Sequence, residues 1–182
     1  MIYQPSDDSY FFADFLKEYF SKLSKNQKQS IKYLDIGTGS GILSQTALKS
    51  GIKKENILAS DINPEAIEHI KKELSQINAI QSDLFQKIEN RFNIITFNAP
   101  YLPKDEQEPE DSQLQTTGGE KGDEISLRFL KQAKSHLKEH GRIFLLISSL
   151  TPLNKIKKFK PKTLAKKKIF MEELLILEFT FS

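Results

Sequence analysis

A strand-like run, Lys32-Tyr-Leu-Asp-Ile36, breaks straight into Gly37-Thr-Gly39-Ser-Gly41, and helix-forming sequence follows at once over 42–50. Three glycines at alternate positions let the backbone turn tightly, and they leave room where a Cβ would block a ligand. The helix that follows offers unpaired N–H groups at its start. A dinucleotide-binding fingerprint would need its third glycine at position 42, which is Ile42, and no Gly-Lys-Ser/Thr of a phosphate loop is present. A plain strand-to-helix turn without a ligand is the competing reading.

The pattern continues on both sides of this loop. Apolar groups at Phe11, Phe12, Phe15, Leu16, Tyr19, Phe20 and Leu23 have helical spacing over 10–23, with Ser9 or an Asp before it as N-cap. Strands are expected at 57–60, 77–81, 93–97 and 142–148, with helices opening at Pro64 and spanning 124–138. Two β-like pieces close the chain over 167–181. Strands alternating with helices imply right-handed βαβ units and an α/β, doubly wound, mostly parallel sheet, here with an antiparallel edge from the last two strands. In such sheets ligands bind beyond the carboxyl ends of the strands. Four unusual features fall at those ends: the glycine loop, Asp61, Asp83, and Asn98-Ala-Pro100-Tyr101.

Composition removes several classes. At 182 residues the chain is long enough for one domain with its own core. With 38% hydrophobic and 28% charged residues it is neither a disordered nor a fibrous sequence. No cysteine is present, which excludes disulfides, thiolate nucleophiles and zinc–thiolate sites. No apolar run is long enough for a membrane helix and no signal peptide is visible at the N-terminus, so a cytoplasmic location is expected. The net charge of +3 does not by itself imply nucleic-acid binding. Charge is concentrated locally: residues 104–111 hold five acids and one Lys, and residues 154–168 hold eight Lys and no acid. With Pro161 and little helical periodicity, the basic run reads as a loop or irregular edge. His136 and His140 have i, i+4 spacing at an expected helix end. Without a third ligand nearby they suit capping better than a metal, so none is expected.

The remaining features carry chemistry. A carboxylate at Asp61, on the tip of the second strand, can accept both hydroxyls of a ribose; the alternative is an N-cap for the helix at Pro64, a role Asn63 could also fill. Asp83 follows the third strand, next to Leu84, and could equally be a turn residue. Asn98-Ala99-Pro100-Tyr101 suits a planar nitrogen. An amide nitrogen is a poor nucleophile, and a site that accepts both its N–H protons concentrates density on it and orients it. Asn98 offers a side-chain carbonyl, the backbone beside Pro100 a second acceptor, and Tyr101 a flat stacking surface.

The spacing Asp35-x-Gly37-x-Gly39-x-Gly41 resembles the nucleoside-binding loop of class I S-adenosylmethionine (SAM) methyltransferases. Asn98-Ala99-Pro100-Tyr101 resembles the (D/N/S)PP(Y/F) signature of members that act on planar nitrogens, with Ala99 replacing the first Pro. The opening Tyr3-Gln-Pro5-Ser-Asp7-Asp8-Ser9 and the segment Gly118-Gly119-Glu-Lys-Gly122 are similar to HemK-like (PrmC-like) glutamine methyltransferases. The likeness runs from about residue 3 to 148. It implies a seven-stranded Rossmann-like sheet in a single domain over 1–182, with 1–30 as a helical lead-in. It also implies SAM contacts at Ser9, Asp35, Gly37, Gly39, Asp61, Asp83, Leu84 and Asn98, and a grip on the acceptor amide by Asn98, Pro100 and Tyr101. Bacterial HemK/PrmC proteins carry a separate N-terminal helical domain; this chain begins at the core, like the short archaeal and eukaryotic branch. That branch methylates the Gln of a GGQ motif in a peptide release factor and works as a heterodimer with a small zinc-binding activator. The alternatives are methylation of adenine N6 or guanine N2 in nucleic acid, which the acidic 105–111 stretch disfavours, and a SAM-binding scaffold without catalysis.

Overall fold

The computed structural model describes residues 4–104 and 116–181. Helix α1 (Asp7–Ser21) and the short α2 (Lys25–Ser30) lead into β1 (Tyr33–Ile36), α3 (Ile42–Lys49), β2 (Ile57–Asp61), α4 (Pro64–Glu73) and β3 (Asn78–Gln81). There follow β4 (Phe92–Asn98), α5 (Glu124–Ala133), β5 (Leu137–Ser148), the single turn α6 (Leu153–Ile156), β6 (Lys162–Ile169) and β7 (Glu172–Phe179). Among the described residues these strands form one seven-stranded sheet in the order β3-β2-β1-β4-β5-β7-β6. β1 to β5 pair in parallel, while β7 is antiparallel to both β5 and β6.

Period-two alternation explains why both faces are covered. Leu34, Ile36, Ile95, Phe97, Ile143, Leu145 and Ile147 point to one face, where Phe129, Leu130 and Ala133 of α5 meet them. Tyr33, Ile94, Phe144 and Leu146 point to the other, against Phe12, Leu16 and Phe20 of α1, Leu43 and Ala47 of α3, and Ile70 of α4. On that second face Phe144 is edge-on to Phe15 and Tyr19, with ring centroids 5.3 and 4.9 Å apart. The lead-in helix is therefore part of the core.

Strand order reverses between β1 and β4, which are parallel neighbours: β2 and β3 are added on one side of β1 and β4 and β5 on the other, with α3 and α4 on one face and α5 on the other. That is the topological switch point, where the connections leaving adjacent strands pass to opposite faces and leave a crevice. The glycine loop leaves β1 there and Asn98 ends β4 there.

Several elements differ from the sequence reading. α1 begins at Asp7 with Ser6 at the N-cap, so Ser9 lies within the first turn. The residues 124–138 are not one helix: α5 ends at Ala133, a 3-10 turn covers Lys134–His136, and β5 starts at Leu137. Leu137 is buried and pairs with Phe92, whereas Arg142 pairs with Ile94, so residues 138–141 bulge out of the ladder. Gly141 closes this bulge, and a Cβ there would lie 2.7 Å from the Leu137 side chain. His136 and His140 consequently do not share a helix. His136 stacks on Phe85 at 4.6 Å and His140 has φ +59°.

The lysine-rich run is ordered as α6, a 3-10 turn and the edge strand β6. Pairing with β7 satisfies its inner side, and lysines on an edge strand discourage further pairing. α2 was not anticipated, although its signal was available: Ser24 and Gln27 form a reciprocal capping box. Among the described residues no helix is long and apolar enough to cross a membrane.

Candidate functional site

A cleft of about 1240 Å³, counting its open mouth, runs along the carboxyl rim from the β2 end to the β4 end. Its walls include nine of the ten residues singled out from the sequence: Ser9, Gly37, Gly39, Asp61, Asp83, Leu84, Asn98, Pro100 and Tyr101. They come from five separate stretches of chain, and the switch-point topology brings them together.

The glycine loop takes a shape that side chains resist. Gly37, Gly39 and Gly41 have φ of +61°, +52° and +81°, in the left-handed region. A Cβ on Gly41 would come within 2.4 Å of Ile70, so α4 packs directly onto the loop backbone. The Thr38 N–H donates to the Ser60 carbonyl at 2.9 Å, tying the loop to β2.

Asp35 departs from its expected place. It is fully buried and is absent from the cleft wall. Oδ2 accepts from Thr38 Oγ1 (2.8 Å), Ser44 N (3.1 Å) and Ser44 Oγ (2.8 Å), and Oδ1 accepts from Thr96 Oγ1 (3.2 Å). Its carboxylate thus fastens the loop and the first turn of α3 from below. Burial lifts its pKa from 3.8 to about 6, and the four donors hold back a larger rise. Because the folded value exceeds the unfolded one, the carboxyl is neutral in both states only below about pH 3. The fold must ionise a buried group as pH rises through 6. Stability should therefore fall by about 2 kcal/mol between pH 4 and pH 6.5 and then level off with respect to this group. Urea unfolding across that range should show the slope, and Asp35→Asn should remove it.

Asp61 stands at the tip of β2. Oδ2 accepts the Gly39 N–H at 2.8 Å and Oδ1 the Asn63 N–H at 2.9 Å. Burial raises its pKa, opposed by these backbone donors. It is not the cap of α4: Asn63 Oδ1 takes the Glu65 N–H at 3.0 Å in that role. Asp61 keeps acceptor lone pairs toward the cleft, since a carboxylate has about four sites.

Asp83 is more committed than the sequence suggested. Arg128 Nη2 from α5 donates to its Oδ1 at 2.5 Å and Gln86 Nε2 to its Oδ2 at 3.3 Å. Arg128 lines the cleft and carried no sequence signal, because only the docking of α5 brings it across from residue 83. Leu84 contributes an apolar wall beside it and has φ +48°.

At the other end, Asn98 Nδ2 donates to Asp8 Oδ2 at 3.1 Å. Asn98 Oδ1 is buried and has no hydrogen-bond partner among the described residues. An unpaired buried acceptor costs roughly 1–3 kcal/mol, a cost that a donor entering from the cleft would remove. Asp8, 5% exposed, was not among the expected site residues; its signal was the pair Asp7-Asp8 at a helix start.

Behind the acceptor end, the Gly118–Gly122 segment braces the loop after β4. Gly118 N–H donates to the Leu102 carbonyl at 2.8 Å, and Thr151 Oγ1 donates to the Tyr101 carbonyl at 3.2 Å. A Cβ on Gly118 would lie 2.3 Å from the Gly122 carbonyl oxygen and 2.6 Å from that of Pro100. Both are backbone atoms, so the loop would have to shift. Gly118→Ala is expected to cost roughly 1–3 kcal/mol in urea unfolding and to raise KM for the acceptor more than for the cofactor. Equal stability and unchanged KM would show that the close approach is not needed. Residue 3 and the acidic residues 105–111 lie outside the described residues.

These pieces can hold a nucleoside-bearing cation at the β1–β2 end and a planar N–H donor at the β4 end. The methyltransferase small domain family matches residues 16–171. A provisionally named protein N5-glutamine methyltransferase from Methanocaldococcus jannaschii is 35% identical, covering 97% of this chain and 90% of that protein. A release factor glutamine methyltransferase from Lactococcus lactis is 35% identical over 69% of this chain, which spans only half of that longer protein. Among solved structures, ribosomal protein L11 methylase from Lactobacillus delbrueckii superposes with a TM-score of 0.67 at 22% identity, covering 96% of this chain and 79% of that one. A Thermus thermophilus 16S rRNA N2 G1207 methyltransferase, solved with AdoMet and guanosine, gives 0.66 at 19%, covering 97% of this chain and 44% of that one. At such identities the two structures speak for the fold alone. With the family matched over most of its length, the chain belongs to the methyltransferase small domain family and is a SAM-dependent methyltransferase.

Proposed function

We propose that this enzyme methylates the side-chain nitrogen of a glutamine in a peptide release factor. The observation that carries the reading is the unpartnered, buried Oδ1 of Asn98 at the end of a cleft with a ribose-type carboxylate at its far end. SAM, when bound, supplies an electrophilic methyl group on sulfur. The cleft fits it: Asp61 offers carboxylate oxygens to vicinal hydroxyls, Leu84 an apolar wall, and the glycine loop a surface of backbone alone. Gly37, Gly39, Ser9 and Asn98 border the same space. Asp83 retains capacity for an exocyclic amine beside its Arg128 partner. Asp35 acts from underneath, by holding the loop.

On the acceptor side, Asn98 Oδ1 takes one N–H of the glutamine amide. The Ala99 carbonyl, ahead of Pro100, takes the other, and Tyr101 lies flat against the amide plane. Two acceptors pull density onto nitrogen and fix its direction of attack. The Ala in place of Pro leaves that carbonyl intact.

The relatives named for glutamine methylation support the acceptor class, above all the one matched over nearly its whole length. The described residues work as a single methyltransferase domain with α1 built into it. A small zinc-binding activator is the partner this reading brings with it. A nucleic-acid acceptor keeps one specific observation in its favour, the lysines along the edge strand β6.

Methyl transfer from labelled SAM to a release factor and to RNA, run in parallel with and without the activator, tests the proposal. Label on the GGQ glutamine is the expected result. Label on RNA alone would overturn it, and tight SAM binding with no transfer to either would leave a scaffold.

A further inference from the structure

We propose that Asp8 is a positioning residue that fixes which way the Asn98 side-chain amide faces. The inference rests on the assignment of Asn98 to the acceptor amide. An asparagine amide rotated by half a turn keeps its shape but exchanges oxygen for NH2, and only one of the two orientations can accept an N–H. The neighbour decides which is taken. Asp8 is 5% exposed and its carboxylate only accepts, so the Asn98 face toward Asp8 Oδ2 must be the NH2, as the 3.1 Å contact has it. That turns Asn98 Oδ1 to the side with no partner among the described residues.

Asp8 is itself held. Its other oxygen accepts from the Ser9 N–H at 2.6 Å, Ser9 Oγ at 3.1 Å and Ser6 Oγ at 2.5 Å. The backbone N–H of Ser9 can only donate, so whatever stands at position 8 must turn an oxygen toward it. The first turn of α1 thereby sets Asp8, and Asp8 sets Asn98, 90 residues further on.

This chain of constraints gives an isosteric substitution an unusual consequence. In Asp8→Asn the three donors keep the residue-8 oxygen on their side, which leaves its NH2 facing Asn98. Two NH2 groups cannot pair, so Asn98 turns over and presents NH2 to the acceptor's N–H. A single oxygen-to-nitrogen change outside the acceptor contacts should then cost nearly as much as losing Asn98 itself.

The test is full kinetics on the intact enzyme with SAM and release factor for wild type, Asp8→Asn, Asn98→Ala and the double variant. Asp8→Asn should lower kcat by roughly 30-fold or more, with KM for SAM within about threefold of wild type and a thermal midpoint close to it. The double variant should be no slower than Asn98→Ala, because both changes remove one interaction. A kcat for Asp8→Asn within twofold of wild type, or losses that multiply in the double variant, would overturn the positioning role while leaving the glutamine reading intact. If Asn98→Ala itself keeps full turnover, the assignment of Asn98 fails and this inference goes with it. Loss of SAM binding in Asp8→Asn would make Asp8 a cofactor residue and also overturn it.

Discussion

Asn98→Ala should reduce turnover by roughly 100-fold or more while SAM affinity changes by less than about threefold. The substitution removes a preorganised acceptor whose buried oxygen has no other partner in the described structure. Asn98 ends β4, between β1 and β5, so the strand fixes its backbone. The cofactor end depends mainly on other groups, which is why affinity and rate should separate. Single-turnover transfer combined with calorimetric SAM titration measures both quantities. Unchanged turnover would remove Asn98 from the chemistry, and a parallel collapse of SAM affinity would place it with the cofactor instead. The variant also leaves Asp8 Oδ2 without its Asn98 donor, so a modest loss of stability should accompany the kinetic effect.

The opposite separation is expected at Asp61. Asp61→Ala should weaken SAM binding by about 1.5–3 kcal/mol, or about 10- to 150-fold, the range for lost hydrogen bonds to a charged group. Turnover at saturating SAM should fall far less. Part of the effect is indirect, because Asp61 Oδ2 holds the Gly39 N–H and through it the crest of the glycine loop. Asp61→Asn separates the two contributions. It keeps one oxygen, so it can satisfy Gly39 or Asn63 but not both, and it brings no charge. An affinity for Asp61→Asn close to that of Asp61→Ala means the second oxygen and the charge matter most. An affinity near wild type means loop support and one acceptor suffice. A change below threefold in Asp61→Ala would reject the ribose assignment.

The architecture was readable where a local pattern had one physical outcome. A short continuous apolar run such as Ile143–Ile147, between Gly141 and Ser148, reads as a strand covered on both faces, and the glycines at 37, 39 and 41 occupy backbone angles that other residues avoid. The end of α5 was not readable in the same way. Helical spacing continues through Leu137, but pairing of Leu137 with Phe92 outweighs one more helical turn. The lysine run 154–168 carries a weak strand pattern, and β7 alone provides the ladder that makes Lys162–Ile169 a strand.

The site divides along the same line. Asp61, Asn98 and the glycine loop announced themselves because each residue type stands at the end of a strand, where the chain's own order places it. Arg128 and Asp8 did not. One lies 45 residues from Asp83 and the other 90 from Asn98, and each is an ordinary helix residue until packing brings it to its partner. The place of Asp35 belongs here in part: alternation with Leu34 and Ile36 sends its side chain to the α3 face, but only the hydroxyls of Thr38, Ser44 and Thr96 make it a support beneath the loop.

The sequence by itself determined the mostly parallel sheet with its antiparallel edge and the chemical types gathered on one rim, since these follow from periodicity, turn geometry and chain connectivity. Only the tertiary structure decided which of those groups face the cleft and which serve as supports. Hydrogen-bond direction depends on partners distant in the chain, and no local pattern encodes them.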